Sequence, residues 1–417
     1  MKLYNNLDRE IQTFKPEGDA ITVYACGITP YDTTHLGHAF TYLTVDVLIR
    51  YLEFCGHTVR YVQNVTDIDD DVLKRAKEVG QDWLSLVNQW THHFIQDMQS
   101  LNVRPPDVFP KATEGMPEIQ EMVSRLLEVG VAYQADGNVY FDLNAWPRYG
   151  ELSRLSRQEM LPIANQRGNN PDDPLKRHPL DFVLWQAQAP GEPAWESPWG
   201  PGRPGWHIEC STLATKYLGE TVSIHCGGAD LIFPHHESEI AQVEPLTREA
   251  PFVRFWMHVA MLHYQGEKMS KSLGNLIMVR DLLETWSPDA IRLHMAQHHY
   301  RSSWSYDPVE LQRAAELADK LRAAATAPVI TGDPLSPEEA EASFKRAMNH
   351  DLDTPAALHA LERLADQILA AAAAEQGVGE AQAVLRNLTG VLGLRLDNRD
   401  PEPEVVNGWH AHAKRFT

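Results

Sequence analysis

The chain has 417 residues and a formal net charge of −20, from 37 basic and 57 acidic side chains. Hydrophobic residues make up 43% and charged residues 23%, a composition typical of a soluble globular protein. The length is too great for one ordinary core, so two or three domains are expected. The acidic total argues against a broad nucleic-acid-binding face, while leaving a local basic patch open.

Two further global features bear on location and chemistry. There is no apolar stretch of about 18 residues or more, and the start, MKLYNNLDRE, lacks the basic and apolar regions of a signal peptide. We therefore expect a cytoplasmic protein without membrane contact, and a monomer. Four cysteines in such a chain are more typical of metal binding or catalysis than of a disulfide framework.

The first elements in chain order predict a parallel α/β sheet. Residues 20–26, AITVYAC, indicate a buried strand, and apolar residues recur at helical spacing over 37–54. Residues 58–65, TVRYVQNV, indicate a second strand. A strand, a helix and a strand in succession begin a parallel sheet, whose ligands bind at the carboxyl ends of the strands.

The later elements predict an inserted segment and a helical end. Pro, Gly, Asn and Trp are frequent over 133–200, strands return at 221–228 and 252–262, and helices are expected beyond Leu276. We predict five segments: two halves of a Rossmann-type catalytic domain (1–132 and 201–275), a connective insertion (133–200), a helical region resembling a stem-contact domain (276–325) and a carboxy-terminal helical bundle (326–417).

Two motifs predict adenylate chemistry. His35-Leu-Gly-His38 lies where the first strand gives way to the first helix, and a helix amino terminus is a ready phosphate site. Gly37 lets a flat base approach the backbone. Lys268-Met-Ser-Lys271-Ser272 lies about 230 residues later, and two lysines suit the charge that grows on a pentacoordinate phosphate. Each motif alone also fits surface histidines or a basic loop, but together they resemble the paired motif of class I aminoacyl-tRNA synthetases.

A third set of residues predicts a metal. His235 and Glu239 are four residues apart and share a helix face, and with the thiolates of Cys26 and Cys210 they complete a tetrahedral zinc shell. Singly, each residue also fits a buried cysteine, a core histidine or a solvated charge. Zinc binds thiolate strongly and hydroxyl poorly, so a zinc ion would let the enzyme discriminate cysteine from serine. Pocket shape alone gives a discrimination of only about 10–200-fold.

With these residues assembled, the chain resembles cysteinyl-tRNA synthetases and the related mycothiol-pathway cysteine ligases. The most specific stretches are 26–43, 61–70, 202–211, 230–242 and 266–275. The resemblance implies an ATP-dependent ligase that uses MgATP and one Zn²⁺ per chain. It also implies catalytic roles for His35, His38, Lys268 and Lys271, nucleotide contacts from Gly37, Gly227, Gly228, Lys271 and Ser272, and a cysteine pocket of Thr66, Trp206, His225 and Asp230.

The family divides by acceptor, and the sequence favours an amino sugar. Residues 26–43 and the insertion segment 165–176 resemble the mycothiol-type ligases more closely. Residues 326–417 carry 8 basic and 14 acidic side chains, which suits an anticodon stem poorly. Glu239, His225 and the segment 298–307 instead resemble the tRNA enzymes. We expect transfer of cysteine to the amine of a glucosaminyl-inositol-type sugar, with tRNA(Cys) as the alternative.

Two further alternatives and two departures from the family pattern remain. A non-catalytic paralogue would have no chemical reason to keep the ATP motifs and the metal ligands, and a merely structural zinc would let serine compete with cysteine. Ser223 and Cys226 stand where family members usually carry aspartate and glycine. Cys226 is expected to be a small buried residue rather than a redox-sensing thiol.

Overall fold

The structure is a computed structural model that describes residues 1–32, 34–247, 250–264, 266–269, 274–329, 332–396 and 403–416, apart from the side chains of Glu267, Lys268 and Pro403. Its strands are β1 (Lys2–Asn5), β2 (Glu10–Thr13), β3 (Ile21–Ile28), β4 (Val59–Val65), β5 (Ala132–Ala135), β6 (Asn138–Phe141), β7 (Phe182–Ala187), β8 (Gly202–Pro204), β9 (Val222–Gly228), β10 (Val253–Val259), β11 (Leu262–Tyr264), β12 (Glu267–Lys268) and β13 (Trp304–Ser305). Its α-helices are α1 (Leu36–Phe54), α2 (Asp70–Val79), α3 (Trp83–Ser100), α4 (Met116–Glu128), α5 (Arg157–Asn165), α6 (Trp206–Leu218), α7 (Glu237–Thr247), α8 (Val279–Leu283), α9 (Pro288–Ala296), α10 (Pro308–Thr326), α11 (Glu338–Met348), α12 (Thr354–Ala373), α13 (Gly379–Val391) and α14 (Pro403–Ala413).

The central sheet is parallel, with strand order β10-β9-β3-β4. Ile224 of β9 is the register partner of both Val23 in β3 and Phe255 in β10, so three buried apolar side chains form a row across the sheet. Both faces of β3 are largely buried, which accounts for its nearly continuous apolar sequence. The predicted α/β class with a parallel sheet is confirmed.

Helix α1 crosses from β3 to β4 and matches the helix predicted over 37–54. Leu36, Phe40, Leu43 and Val47 recur every three or four residues and are all buried. His35 caps the helix, since its Nδ1 accepts a hydrogen bond from the backbone N–H of Gly37 at 3.1 Å. The first histidine of the HxGH motif is therefore fixed at the amino terminus of the helix.

A separate antiparallel sheet, with order β5-β6-β7-β8, lies between the two halves of the central sheet in the sequence. Its core includes stacked rings of Phe141 and Phe182 at 4.8 Å, together with the fully buried Trp185. Strand β8 extends this sheet past residue 200. The division of the chain into five segments stays a prediction.

The segment after Leu276 is mostly helical, with one departure from the predicted pattern. Trp304 and Ser305 form β13, which pairs with Leu262 and His263 of β11. The prediction of helices throughout this part is therefore wrong at β13, where a buried aromatic side chain completes a small sheet.

The last described helix, α14, packs against the catalytic part of the chain. The indole N–H of Trp409 donates to the carbonyl oxygen of Val103 at 2.8 Å, and its ring meets Phe94 and Phe109 edge-on. Its side chain is buried. Among the described helices, none has the length and apolar composition needed to cross a bilayer.

Candidate active site and metal centre

A cavity of about 1070 Å³ opens at the carboxyl ends of the parallel strands. Ile28, Gly228 and Val259, at the ends of β3, β9 and β10, line it. Residues of the antiparallel sheet and its loops, including Tyr140 and Arg167, line the opposite wall. This is the position at which open parallel sheets bind their ligands.

The two ATP motifs approach one another at this cavity. His35 and His38 line it, and their rings stack with centroids 3.8 Å apart. The N–H of Leu36 donates to the carbonyl oxygen of Ile277 at 2.8 Å, which holds the start of α1 against the segment that follows the second motif. Met269 of that motif is buried and lines the same cavity.

The predicted lysine roles lie largely beyond what the structure describes. Lys271 and Ser272 are outside the described residues. The backbone of Lys268 pairs with His263 in the β11–β12 hairpin, while its side chain is outside the described part of the chain. Their roles stay predictions.

The four predicted metal ligands converge from four different elements. Cys26 comes from β3, Cys210 from α6, His235 from the kinked segment Ile232–His236 and Glu239 from α7. One ligand atom from each lies within 4.8 Å of all the others, and all four residues are buried. The residue after Cys26 must be small, since a Cβ at Gly27 would overlap the carbonyl oxygen of Asn64.

The spacing of these atoms fits a tetrahedral zinc ion. Zinc bonds of about 2.3 Å to sulfur and about 2.0–2.1 Å to nitrogen or oxygen give tetrahedral edges of roughly 3.8 Å between two sulfurs, 3.6 Å between sulfur and oxygen and 3.3 Å between nitrogen and oxygen. The corresponding separations are 3.7 Å for Cys26 Sγ to Cys210 Sγ, 3.6 Å for Cys26 Sγ to Glu239 Oε1 and 3.2 Å for His235 Nε2 to Glu239 Oε1. The donor set therefore fits the ion.

The electrostatics of the cluster also favour a cation. Burial raises the pKa of the Cys26 thiol well above its ordinary value, and Cys210 and Glu239 beside it raise that pKa further. Burial likewise lowers the pKa of His235, so that its imidazole is neutral and free to coordinate. Two thiols and a carboxylate buried together need a positive charge to remain ionised, which a divalent metal supplies.

Sequence reasoning missed two histidines that contact the cluster. His236 Nε2 lies 3.2 Å from Cys26 Sγ, and His236 forms a second possible ligand group with Cys26, His225 and Glu239. His207 Nδ1 lies 2.9 Å from His235 Nδ1, where it can orient the ligand ring. The doublet His235-His236 was the available signal, but helix spacing to Glu239 suits either residue.

The predicted cysteine-pocket residues are placed in two layers. Trp206 and Asp230 line the cavity, and the Trp206 ring packs on His235 at 4.3 Å. Thr66 and His225 are buried beneath it: the Thr66 hydroxyl accepts a hydrogen bond from Asn64, and His225 Nε2 contacts Glu239 Oε2 at 3.0 Å. These two side chains are therefore placed to orient Asn64 and the proposed metal ligand Glu239.

The predicted nucleotide glycines are packed against neighbouring side chains. A Cβ at Gly37 would lie 2.9 Å from the His35 ring, and one at Gly227 would lie 2.8 Å from His236. A Cβ at Gly228 would lie 2.6 Å from the Asp230 carboxylate. Each position thus favours glycine on steric grounds, while contact with nucleotide stays a prediction.

The two departures from the family pattern have structural roles. Ser223 exchanges hydrogen bonds with Thr22, its N–H donating to Thr22 Oγ1 at 2.8 Å, and so ties β9 to β3. Cys226 is fully buried, and burial raises the pKa of its thiol to about 12. A thiol that is buried and protonated is unreactive, as expected for a core residue.

Comparison with known families decides the classification. Residues 13–316 match the family model described as "tRNA synthetases class I (C) catalytic domain", and residues 343–397 match the "DALR domain" model. The chain belongs to the cysteinyl-tRNA synthetase family of class I. Membership makes it an ATP-dependent ligase of the group that contains cysteine ligases and aminoacyl-tRNA synthetases, as the sequence predicted.

Individual relatives of this synthetase-family chain fall into two groups. An L-cysteine:1D-myo-inositol 2-amino-2-deoxy-alpha-D-glucopyranoside ligase from Thermomonospora curvata is 43% identical over 394 residues, which cover 94% of each chain. A cysteine–tRNA ligase from Escherichia coli is 42% identical over 414 residues, covering 99% of this chain and 88% of the relative. The methionyl-tRNA synthetase of Mycobacterium tuberculosis, solved with methionyl-adenylate, matches 96% of this chain and 93% of that one with a TM-score of 0.64 and 16% identity, a likeness of fold alone.

Proposed function

We propose that this enzyme activates L-cysteine as cysteinyl-adenylate, with zinc held by Cys26, Cys210, His235 and Glu239, and transfers the cysteine to the amine of an amino sugar. The observation that carries the first half is the buried Cys₂HisGlu donor set, of which Cys26 lines the same cavity as His35 and His38. When bound, zinc would hold the substrate sulfur as a thiolate and thereby exclude serine.

The first step forms a mixed anhydride. The cysteine carboxylate attacks the α-phosphorus of MgATP, and the bond to the bridging oxygen breaks as pyrophosphate leaves. His35 and His38, stacked at the start of α1, are placed to donate to phosphoryl oxygens, and the amino terminus of α1 adds its positive dipole end. Trp206 closes the wall beside His235 and positions the cysteine for attack.

The second step transfers cysteine to nitrogen. The acceptor amine attacks the carbonyl carbon of the adenylate, the carbon–nitrogen bond forms, and the bond to the phosphate oxygen breaks with release of AMP. An amine that arrives as an ammonium must first lose a proton. A general base at the mouth of the cavity is therefore required.

The charge of the cavity supports a cationic acceptor. The described lining residues include six carboxylates and three basic side chains: Asp32, Asp69, Asp70, Asp71, Asp173 and Asp230 against Arg167, Lys176 and Arg203. Arg167 is already paired with Asp230 at 3.1 Å, and Arg203 is paired with Asp70. The remaining carboxylates favour an acceptor that carries an ammonium group.

The raised pKa of Tyr31 reflects the concentration of negative charge at this part of the cavity. Burial raises the pKa of Tyr31 to about 12, and the carboxylates of Asp71, Asp69 and Asp32 contribute to the rise. The tyrosine hydroxyl thus stays protonated among three acidic groups. A sugar amine bound here would meet carboxylates and hydroxyl groups, the partners that an amino sugar prefers.

A tRNA acceptor is the second candidate. Glu239 lies in the ligand group with Cys26, Cys210 and His235, and a cysteine–tRNA ligase matches 99% of the chain. A tRNA would offer a ribose hydroxyl and form an ester instead of an amide. The two products are chemically distinct, so the acceptor can be tested directly.

Asp69 is the candidate base, and its replacement by asparagine tests the proposed transfer step. Burial raises the pKa of Asp69 to about 6, so the carboxylate form that accepts a proton predominates at neutral pH. We expect D69N to keep ATP–pyrophosphate exchange within about twofold and to lose about 10²–10⁴-fold in transfer to the amino sugar. In the unchanged enzyme, transfer should rise as pH increases through about 6, because Asp69 is deprotonated above its pKa.

The matched control is Asp82→Asn. Asp69 and Asp82 both cap helices through a carboxylate that accepts a backbone N–H, from Asp71 at 2.7 Å and from Ser85 at 2.9 Å, and asparagine preserves such a cap. Exchange and transfer are measured for both variants from about pH 5 to 8. Transfer by D69N at the rate and with the pH profile of the unchanged enzyme would remove Asp69 from the mechanism.

A further inference from the structure

A second cluster of metal-ligating side chains lies away from the cavity, between α9 and α10. His294 is on α9, His298 follows the end of that helix, and Glu310 is in the first turn of α10. One ligand atom of each lies within 4.8 Å of the other two. His298 Nε2 and Glu310 Oε2 are 3.4 Å apart, close to the roughly 3.3 Å edge of a tetrahedral zinc site with nitrogen and oxygen donors.

Among the described residues, the buried member of this α9–α10 cluster is poorly supplied with hydrogen bonds, although Gln297 lies close to its ring. His294 is fully buried, and neither of its ring nitrogens has a hydrogen-bond partner of normal geometry among the described residues. The same holds for Nε2 of His298. Buried polar atoms are nearly always satisfied, and an ion between the two rings would satisfy one nitrogen of His294 together with Nε2 of His298.

The surroundings favour neutral imidazoles in fixed orientations. Burial lowers the pKa of both His294 and His298 to about 4, so that each is uncharged at neutral pH and available to a metal. The His298 ring stacks on Trp304 with centroids 3.9 Å apart, and His294 meets the same indole edge-on at 5.0 Å. Ring contacts therefore hold the two ligands in place before an ion arrives.

We propose that His294, His298 and Glu310 bind a second divalent transition metal ion of the zinc class. Two imidazoles and one carboxylate suit zinc, cobalt or nickel, and partial exposure of His298 and Glu310 leaves room for water as a further ligand. The ion joins α9 to α10. It also fixes Trp304 of β13, which pairs with β11, the strand that begins the hairpin containing Lys268.

Cobalt titration of the metal-free protein tests this site. We expect two equivalents of Co²⁺ to bind. One produces the intense thiolate-to-cobalt charge-transfer absorption of the Cys26–Cys210 site, and the other adds only the weak visible bands of nitrogen and oxygen ligands. Replacing Glu310 with glutamine should remove the second equivalent and leave the charge-transfer absorption unchanged.

Two further variants make the result decisive. Glu316 also lies on α10. Among the described residues, its carboxylate accepts a side-chain hydrogen bond from Gln312 alone, so E316Q should still bind two equivalents of Co²⁺. H298N should behave like E310Q. A single equivalent in the unchanged protein, or two equivalents in both E310Q and H298N, would overturn the proposal.

Discussion

Replacing Cys210 with serine is expected to reduce cysteine-dependent ATP–pyrophosphate exchange by at least about 100-fold, since even outer-shell changes at metal sites cost about 10–100-fold. Cys210 Sγ lies 3.7 Å from Cys26 Sγ, and its side chain is buried. A serine hydroxyl at this position remains protonated and is a poor zinc ligand. The three remaining ligands would then hold the ion weakly, and cysteine would lose its distinguishing contact.

The matched control for this variant is Cys55→Ser. Cys55 is an exposed cysteine at the carboxyl end of α1, the opposite end from the HxGH pair, and it is not among the described residues that line the cavity. We expect C55S to retain its metal and its exchange activity, while C210S loses both. Zinc content is measured on the same samples. Near-normal exchange by C210S, with zinc lost, would show that the metal is not required for activating cysteine.

Replacing Asp46 with asparagine is expected to lower the free energy of unfolding by about 3–5 kcal/mol. The Arg292 guanidinium is buried and pairs with Asp46, and it also donates to the carbonyl oxygens of Leu392 at 2.7 Å and Leu101 at 2.8 Å. This contact joins α1, which presents the HxGH pair, to α9 and to the end of the DALR region. Asparagine keeps the shape of the side chain but leaves Arg292 without its anion.

The contribution of Asp46 to the free energy of unfolding should decrease as the pH falls. Burial alone would raise the pKa of Asp46, but Arg50 and Arg292 outweigh it, so the pKa is lowered from its ordinary value. A lowered folded-state pKa contributes stability above the unfolded value of about 3.9 and loses it as pH falls through the folded value. The difference in free energy of unfolding between the unchanged protein and D46N should therefore be largest at neutral pH and decrease below about pH 4.

An exposed ion pair provides the control for D46N. Glu339 pairs with Arg346 at 3.1 Å on the surface of α11, where both side chains are exposed. E339Q is expected to leave the free energy of unfolding nearly unchanged, because solvent screens an exposed ion pair. The free energy of unfolding of all three proteins is measured by chemical denaturation at several pH values. A D46N effect as small as that of E339Q would contradict the role given to the buried pair.

Local patterns were sufficient to predict much of the fold. The apolar run of β3 and the helical spacing of Phe40, Leu43 and Val47 are properties of short segments, and both elements lie where periodicity placed them. The strand order β10-β9-β3-β4 depends instead on contacts between residues about 200 positions apart, such as Val23 and Ile224. The docking of α14 through Trp409 is likewise a long-range contact with no local signal.

The residues that form the metal site could be predicted from the sequence, but their depth below the cavity surface could not. Cys26, Cys210, His235 and Glu239 do converge, from β3, α6, the segment Ile232–His236 and α7. Sequence spacing does not show that His236 also approaches Cys26, since neighbouring histidines differ only in the direction of their side chains. Nor does it show that Thr66 and His225 lie behind the cavity wall.

Offering both acceptors to the purified protein in one tube, with ATP and labelled cysteine, tests the assignment of the acceptor most directly. The acidic cavity mouth predicts that label appears on glucosaminyl-inositol as an alkali-stable amide, with little on tRNA. Label found mainly on tRNA, as a base-labile ester, would contradict the amino-sugar assignment and make this chain a cysteinyl-tRNA synthetase.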